Sequence, residues 1–274
     1  MGDLLAAARR TAAPYRAVLA SRVRSQRSYR ANFRLDLVGA LVVGLTEMTE
    51  VFVLYTAVDG VGGFTLAQIV LVFGLADMCF SFADMVFGHV DGLAVLVRQG
   101  KLDIFYLRPQ PLLAQLVTSD IQLRRLARAV VGCVAFAVGL VINDIDWGVG
   151  AVVLLLLAVL SGIATFSAQF VLAAGMQFYL LNAKEVTNAF VYGGRYASSQ
   201  PATVWSRWIV VAFGFVFPMA FTAYLPVTAL LGLPGAAWLP SWLGWCTPVA
   251  AAWSWGLALL FWRAGVRHYQ GGGG

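Results

Sequence analysis

The sequence predicts an all-α integral membrane protein with six transmembrane helices, and three observations support this fold class. Apolar residues make up 60% of the 274 residues and charged residues 12%, with a mean hydropathy of +0.79, outside the range of ordinary soluble domains. All 19 lysines and arginines lie outside six long apolar stretches. Those stretches come close to the ~20 residues that a spanning helix needs, and they cover residues 36–57, 66–88, 129–145, 149–173, 208–231 and 247–262.

The positive charges form four clusters, and six alternating helices place every cluster on the same side of the membrane. The clusters occupy residues 9–34, 98–128, 184–207 and 263–267. The loops near Asp59, Asp144 and Trp238 fall on the other side and carry no lysine or arginine. Because positive charge marks the cytoplasmic side, we expect both termini in the cytoplasm and the chain in the inner (plasma) membrane.

The basic balance also indicates what the chain contacts. Its arginines flank apolar spans and do not alternate with aromatic residues on a polar face. This pattern favours anionic membrane lipid as a partner and excludes nucleic acid.

Residues 1–34 precede the first span and read as a separate element. Apolar residues recur at helical spacing, with arginines on the other faces; they are Leu5, Ala8, Ala12, Tyr15, Leu19 and Val23. The pattern predicts an amphipathic helix in the cytoplasmic interface, although a simple topology signal would also explain it. Residues 35–270 then form the six-helix transmembrane domain, and the glycines of 271–274 are a flexible tail or a linker scar.

Carboxylates lie inside the first two spans. Glu47 and Glu50 share one face of the first span, and Asp77 and Asp84 share one face of the second. An ionised acid at mid-membrane costs at least ~2.5 kcal/mol. Since no span contains lysine or arginine, we expect no basic partner at that depth within the chain.

Two interpretations of these four acids remain open. They would line a translocation path and attract a cationic or amphipathic cargo. Alternatively, they are protonated, bonded to neighbours such as Thr46, Thr49 or Ser81, or paired with an arginine of a partner subunit. Asp84, nearer the inner end, could also reach water or a cytoplasmic arginine.

The longest polar connection, residues 89–128, joins the second and third spans. Gly100 is a helix stop, and Pro109 and Pro111 force an extended or turning backbone. The short segment between these breaks mixes apolar and charged residues. It would suit docking into a groove on another protein, or it would pack only on its own bundle.

The fifth span contains Pro218 and Pro226, which favour kinks or breaks. Residues 232–245 follow, too short and too rich in proline to cross, with Trp238 and Trp242 among their tryptophans. We expect a re-entrant or interfacial hairpin on the outer face with a tryptophan belt. A plain aromatic anchor is the alternative.

The sequence offers no catalytic or metal-binding set. Cys79, Cys133 and Cys246 are scattered, and neither histidine has a partner at ligand spacing. A phosphate-binding loop requires Gly-Lys-Ser/Thr, but the two lysines are followed by leucine and glutamate. ATP would therefore have to be bound by another chain.

Several motifs resemble one family. The run Gln99-Gly100-Lys101-Leu102-Asp103, followed by Leu107-Arg108-Pro109, resembles the cytoplasmic motif of the six-span permeases of type-2 ABC transporters. Further landmarks in register are residues 29–33, Gly194-Arg195-Tyr196, Phe217-Pro218 and a Trp262, Gly265, Tyr269 ending. One departure is Ala197, where the family often has proline.

The resemblance implies a permease subunit of an ATP-driven exporter, forming half of the translocation path. It implies a second permease, identical or related, and two ATP-binding cassette subunits that carry ATP and magnesium, so this chain itself would be non-catalytic and without a cofactor or metal. The residues implied to lie at or beside the ATPase contact are Gly100, Lys101, Leu102, Asp103, Leu107, Arg108 and Pro109. Those implied to form an outer gate or lid are Pro218, Tyr224, Pro226, Trp238 and Trp242.

Two other function classes compete with this one. A proton-coupled secondary transporter or a lipid scramblase would use Glu47, Glu50 and Asp77 as proton or ion sites. A structural membrane scaffold is disfavoured by the central carboxylates.

Overall fold

The computed structural model describes residues 21, 30–57, 63–120, 125–180, 185, 187–201, 206–233 and 239–269, and these are helical with short connections. The α-helices are α1 (Arg30–Ala57), α2 (Leu66–Phe87), α3 (Leu93–Arg98), α4 (Asp103–Tyr106), α5 (Leu112–Ser119), α6 (Leu126–Ile142), α7 (Val149–Met176), α8 (Gly193–Ser198), α9 (Arg207–Val211), α10 (Tyr224–Leu230) and α11 (Thr247–His268). The 3₁₀-helices are Gly88–Gly92, Met219–Phe221 and Ser241–Cys246, and the π-helices are Asn188–Tyr192 and Ala212–Val216.

Among the described residues, three helices are long and apolar enough to cross a membrane. They are Leu66–Arg98, Val149–Met176 and Ser241–His268. A fourth span arises if Arg207–Val216 and Met219–Leu230, bent by 73°, count as one. The chain is therefore a multi-pass, all-helical membrane protein, and six crossings stay a prediction, since α1 and the 17-residue α6 are not among these helices.

Helix α2 lies at the centre of the bundle, and its start is set locally. The Thr65 backbone N–H donates to Gln68 Oε1 at 2.9 Å, and the Gln68 N–H donates to the Thr65 hydroxyl at 3.4 Å, which forms a capping box. Residues along α2 such as Leu71, Cys79 and Phe80 have no exposed surface. This helix therefore supplies the core against which the others pack.

Helices α2 and α6 approach each other along a line of glycines. A Cβ atom at Gly132 would lie 2.6 Å from the backbone nitrogen of Met78, and one at Gly139 would lie 2.6 Å from Cα of Leu71. Small residues allow such backbone contact between membrane helices, where packing drives association. The pair is close-packed because no side chain separates the backbones.

Helices α7 and α11 form a second close pair. A Cβ atom at Gly265 would lie 2.6 Å from the Gly175 carbonyl oxygen and 2.6 Å from the Phe178 ring. A Cβ atom at Gly175 would lie 2.7 Å from the Phe261 carbonyl carbon. Helix α11 is thereby fixed to α7 near the C-terminal ends of both helices.

Helix α1 and the segment 207–216 lie at the periphery. Apolar side chains along α1 are exposed, including Leu35, Val42 and Leu45, and Trp208 at the start of α9 is exposed as well. Helix α1 touches the bundle where Gly44 meets Val131 of α6. Interior packing is therefore concentrated in α2, α6, α7, α10 and α11.

The break predicted in the fifth span is present. The chain turns by 73° between Arg207–Val216 and Met219–Leu230, and Pro218 stands at the turn. Beyond α10, Gly244 packs so closely that a Cβ atom would lie 2.5 Å from the Leu225 carbonyl oxygen. The predicted interfacial helix of residues 1–34 lies almost wholly outside the described residues, as does Trp238 of the predicted hairpin.

Candidate functional site

An ion network joins α1, α2 and α8, and Arg195 is its centre. Its Nη2 donates to Glu47 Oε2 at 2.5 Å and to Asp77 Oδ1 at 2.6 Å, and its Nε donates to Asp77 Oδ1 at 3.1 Å. The Asp77 side chain is 1% exposed and that of Arg195 is 10% exposed. One guanidinium therefore ties the first two spans to the element that precedes the fifth.

Arg128 of α6 joins the same network. Its Nη2 donates to both carboxylate oxygens of Glu47 at 2.6 Å, and its Nε lies 3.5 Å from Asp77 Oδ1. Both guanidinium groups also face the Phe80 ring, at 5.1 Å for Arg195 and 5.5 Å for Arg128. Cation–π contact and charge-assisted hydrogen bonds stabilise the cations together.

Two further pairs surround this centre. Arg125 forms an ion pair with the Asp84 carboxylate and donates to the Asp84 backbone oxygen at 2.8 Å. Next to Arg195, the Tyr196 hydroxyl donates to Glu50 Oε1 at 3.0 Å. All four acids predicted from the sequence are therefore engaged with groups of this chain.

The expectation that these acids lack a basic partner within the chain is wrong. Glu47, Asp77 and Asp84 meet three arginines, so the cluster is balanced in charge. Counting residues along each predicted span assigned a depth to every residue, but a long arginine side chain reaches several residues along a helix. Arg128 stands immediately before a predicted span, and Arg195 belongs to a short helix packed inside the bundle.

The hydroxyl groups of Thr46, Thr49 and Ser81, which were alternative partners for the acids, form no hydrogen bond with them among the described residues. Thr46 and Thr49 donate to backbone oxygens of their own helix, at 2.9 and 2.8 Å. Within the described residues, the buried Ser81 hydroxyl and Asp77 Oδ2 have no hydrogen-bond partner. For Asp84, the arginine that pairs with it is Arg125.

The predicted docking loop has a buried base. Leu102 is fully buried within the apolar cluster that also contains Leu93, Leu116 and Trp262. The Gln115 amide donates to the Phe105 backbone oxygen at 3.0 Å and to the Gln110 backbone oxygen at 2.7 Å. These contacts hold α4 against the bundle.

The turn into this loop is made by Gly100, whose φ of +63° lies in the left-handed region that favours glycine. Side chains beyond the turn point outward: Leu107 is 85% exposed and Ile104 is 55% exposed. Lys101, Arg108 and Pro109 are exposed too. The loop therefore presents an apolar and basic face on a fixed base.

The end of the last helix touches the loop from the side. The Tyr269 hydroxyl donates to Asp103 Oδ1 at 2.8 Å, and the Tyr269 ring stacks on Tyr106, with centroids 6.0 Å apart and planes at 6°. Partial burial and the neighbouring Asp103 carboxylate raise the pKa of Tyr269 to about 12. Burial first, and then Asp103, also raises the pKa of Tyr106.

The residues predicted to form an outer gate do not share one environment. Tyr224 is buried, with its ring 5.6 Å from that of Phe64, and Pro218 and Pro226 are buried as well. Trp242 is exposed. Of this group, only Trp242 faces outward among the described residues.

Comparison with known proteins decides the family. The family model described as ABC-2 family transporter protein matches residues 41–273, most of the chain. The chain belongs to the ABC-2 transporter family. It is the permease, the membrane component of an ABC transporter, and permeases of this family work with ATP-binding subunits and are generally non-catalytic. A search of curated proteins found no match, and neither did a search of solved structures.

The sequence analysis did not identify Arg128 and Arg195 as partners of the acids, or Tyr269 as a partner of Asp103. Arg195 and Tyr196 belong to the Gly-Arg-Tyr landmark, and Tyr269 ends the Trp-Gly-Tyr landmark. Because these two landmarks contain charged or hydroxyl side chains, they were the sequence signal that could have identified these residues. Their partners lie 118 to 166 residues away along the chain, so no local pattern could identify them.

Proposed function

We propose that this permease is one half of the translocation path of an ATP-driven exporter, completed by a second permease, identical or related, and driven by two ATP-binding cassette subunits. In this proposal ATP and magnesium belong to those partner subunits. Membership of the ABC-2 family supports a permease that works with ATP-binding subunits. The charge pattern of the sequence supports insertion in the inner (plasma) membrane with both termini in the cytoplasm.

The observation that carries the proposal is the geometry of residues 100–109. A docking element must transmit force, so its base has to be fixed while its outer face stays available. Leu102 is fully buried, whereas Leu107 is almost fully exposed five residues later. Ile104, Tyr106 and Leu107 are exposed next to one another, and a group of adjacent exposed apolar side chains favours an interaction site.

The chemistry of the face favours a protein groove as its partner. Leu107 and Ile104 provide apolar anchors, and Lys101 and Arg108 provide flanking positive charges. Docking of a short helix by apolar anchors with charged flanks is a common mode of recognition. Closure of the ATPase pair would move this element, and the rigid helices behind it would convert the motion into opening of a path.

Three of the four acids have a different role from the one that a cationic cargo would give them. Glu47, Asp77 and Asp84 neutralise arginines of the same chain, so no cargo charge is needed to balance them. We assign these three to holding the helices in register. Only Glu50, exposed and bonded to the half-exposed Tyr196, remains in our proposal as a residue lining the path.

For the outer end, we propose that the broken fifth span and the 3₁₀-helix Ser241–Cys246 form the lid. Pro218 would act as the bend, Tyr224 and Pro226 would anchor it in the core, and Trp242 would meet the interface. Trp238 belongs to the same proposal.

A matched pair of substitutions tests the docking element. Leu107→Asn removes an apolar anchor from a side chain that is 85% exposed, and Val149→Asn makes a similar change at a residue that is 84% exposed at the start of α7. We expect Leu107→Asn to reduce roughly ten-fold the amount of ATP-binding subunit that co-purifies, as loss of an interface anchor does. Val149→Asn should have no effect.

A photo-reactive residue at position 107 identifies the partner directly. The cross-linked protein should contain the Gly-x-x-x-x-Gly-Lys-Ser/Thr phosphate-binding motif. Normal recruitment by the Leu107→Asn variant would contradict the proposal. Transport that survives ATP depletion but stops when the proton gradient collapses would favour the proton-coupled carrier.

A further inference from the structure

The cytoplasmic end of the last helix and the docking element meet in an aromatic cluster. Tyr269 stacks on Tyr106, and its ring centroid lies 6.1 Å from that of Phe178 at the end of α7. Phe178 in turn contacts Trp262, with centroids 5.7 Å apart. Tyr269 is thus one side chain through which α4 contacts α11 and the residues just beyond α7, next to the apolar cluster in which Leu102 and Trp262 are buried.

Helices α7 and α11 cannot slide freely at this end. Gly265 and Gly175 bring the two backbones into contact, and a Cβ atom on Gly265 would also meet the Phe178 ring. Tyr269 follows one turn after Gly265, and its N–H donates to the Gly265 carbonyl oxygen at 3.2 Å. The Tyr269 ring therefore extends from the most tightly packed part of the pair.

The covalent connections of the docking element lead elsewhere. Through Gly100 and α3 it is continuous with α2, and through Pro111 and α5 it leads to α6. Those connections reach the α2–α6 pair only. A hydrogen bond between Tyr269 and Asp103, residues 166 apart in the chain, supplies a connection to the α7–α11 pair.

We propose that Tyr269 is a positioning residue for energy coupling: its hydroxyl orients α4 through Asp103, and its ring passes displacement of α4 to the α7–α11 pair. This inference rests on the proposed function of the docking loop. Asp103 is the first residue of α4, so a bond to its carboxylate fixes the N-terminal end of that short helix. Without the bond, α4 would keep its exposed face, its hydrogen bond from Gln115 and its apolar contacts, but it would lose its hydrogen bond to the last helix.

The test separates docking from coupling. Tyr269→Phe keeps the ring and removes the hydroxyl, and it is compared in the purified complex with the ATP-binding subunit. We expect subunit affinity within two-fold of the original chain and an ATP hydrolysis rate at saturating ATP that falls by roughly three- to ten-fold, the effect of losing one solvent-exposed hydrogen bond. Asp103→Ala should cause a similar loss.

A double-mutant cycle adds a readout that a merely structural role would not change. If the two groups act through one bond, the Tyr269→Phe/Asp103→Ala double variant should be no slower than the slower single variant. Tyr179→Phe is the matched control, because the Tyr179 ring stacks on His268 at 4.7 Å at the same end of the helices. The control should hydrolyse ATP at the original rate.

Three results would overturn the inference. They are an unchanged hydrolysis rate in Tyr269→Phe, additive losses in the double variant, or a loss of subunit affinity equal to that of Leu107→Asn with normal turnover in the assembled complex. Failure of Leu107→Asn to affect recruitment would instead overturn the proposed function. The two failures are therefore distinguishable.

Discussion

The bundle is held together in two different ways, by backbone contact in its core and by ion pairs at its edge. In the α2–α6 and α7–α11 pairs, glycines let the backbones touch, and no alternative register preserves those contacts. Helix α1 and the short helix α8 are joined to the core by Arg195 and its acids. Steric contact permits one arrangement, whereas a guanidinium can exchange one carboxylate for another.

This difference indicates which parts can move during a transport cycle. Interfaces that change state need two arrangements of similar free energy. The glycine-packed pairs have one, so they should move as rigid units. Ion pairs around Arg195 can be remade with Arg128 in its place, since both arginines already contact Glu47 and Asp77. Rearrangement is therefore expected at α1 and α8.

The largest effect is expected from breaking the ion network. Arg195→Met leaves Asp77 buried with only Arg128, 3.5 Å away, as a basic neighbour. Removing one partner of a buried pair costs about 3 kcal/mol, and the measurement is the unfolding free energy in detergent. Arg263→Met, at an exposed arginine of α11, is the control and should be neutral.

The double variant Arg195→Met/Asp77→Asn sharpens this result. Since the uncompensated charge is removed, we expect it to be more stable than Arg195→Met alone. If the double variant loses as much unfolding free energy as the two single variants together, Arg195 stabilises the fold through packing. The edge of the bundle would then be held together in the same way as the core.

A smaller loss of stability is expected from adding a methyl group at the glycine contact between α7 and α11. Gly265→Ala pushes a methyl group against the Gly175 carbonyl oxygen and should cost about 2 kcal/mol by overpacking. Gly256→Ala, on the same helix with nothing within 4 Å of the added atom, should be neutral or slightly stabilising. Equal stability of the two variants would contradict rigid packing of α7 on α11.

The difference between the glycine-packed core and the ion-paired edge also explains which features could be predicted from the sequence. The apolar stretches at 66–88, 149–173 and 247–262 correspond to long apolar helices, because hydropathy over ~20 residues reports burial in lipid directly. The break at Pro218 followed from the missing N–H of proline. Gly100 and Leu102 were assigned to the docking loop by motif, and the structure places a left-handed turn at the first and a fully buried side chain at the second.

The pairing of Arg195 could not be read from the sequence. Depth in the bundle depends on tilt and on how far each helix extends, and neither quantity has a local signature. Because Glu47 and Asp77 were assigned to mid-membrane by counting residues, Arg195 and Arg128 were assigned to the cytoplasmic side and appeared out of reach. Only the three-dimensional packing of α8 against α2 brings the charges together.

The smallest effect is expected at the most exposed link of the edge, between Tyr196 and Glu50. Tyr196→Phe removes the hydroxyl donor, and since both residues are exposed the cost should be about 0.5 kcal/mol. Glu50→Gln keeps an acceptor oxygen and should cost less, as measured by the same unfolding experiment. If α1 rearranges during transport, Tyr196→Phe should nevertheless change the ATP hydrolysis rate of the complex, because a bond that contributes little to stability can still favour one of two states. Unchanged hydrolysis would place Tyr196 outside the moving edge and confine rearrangement to Arg195.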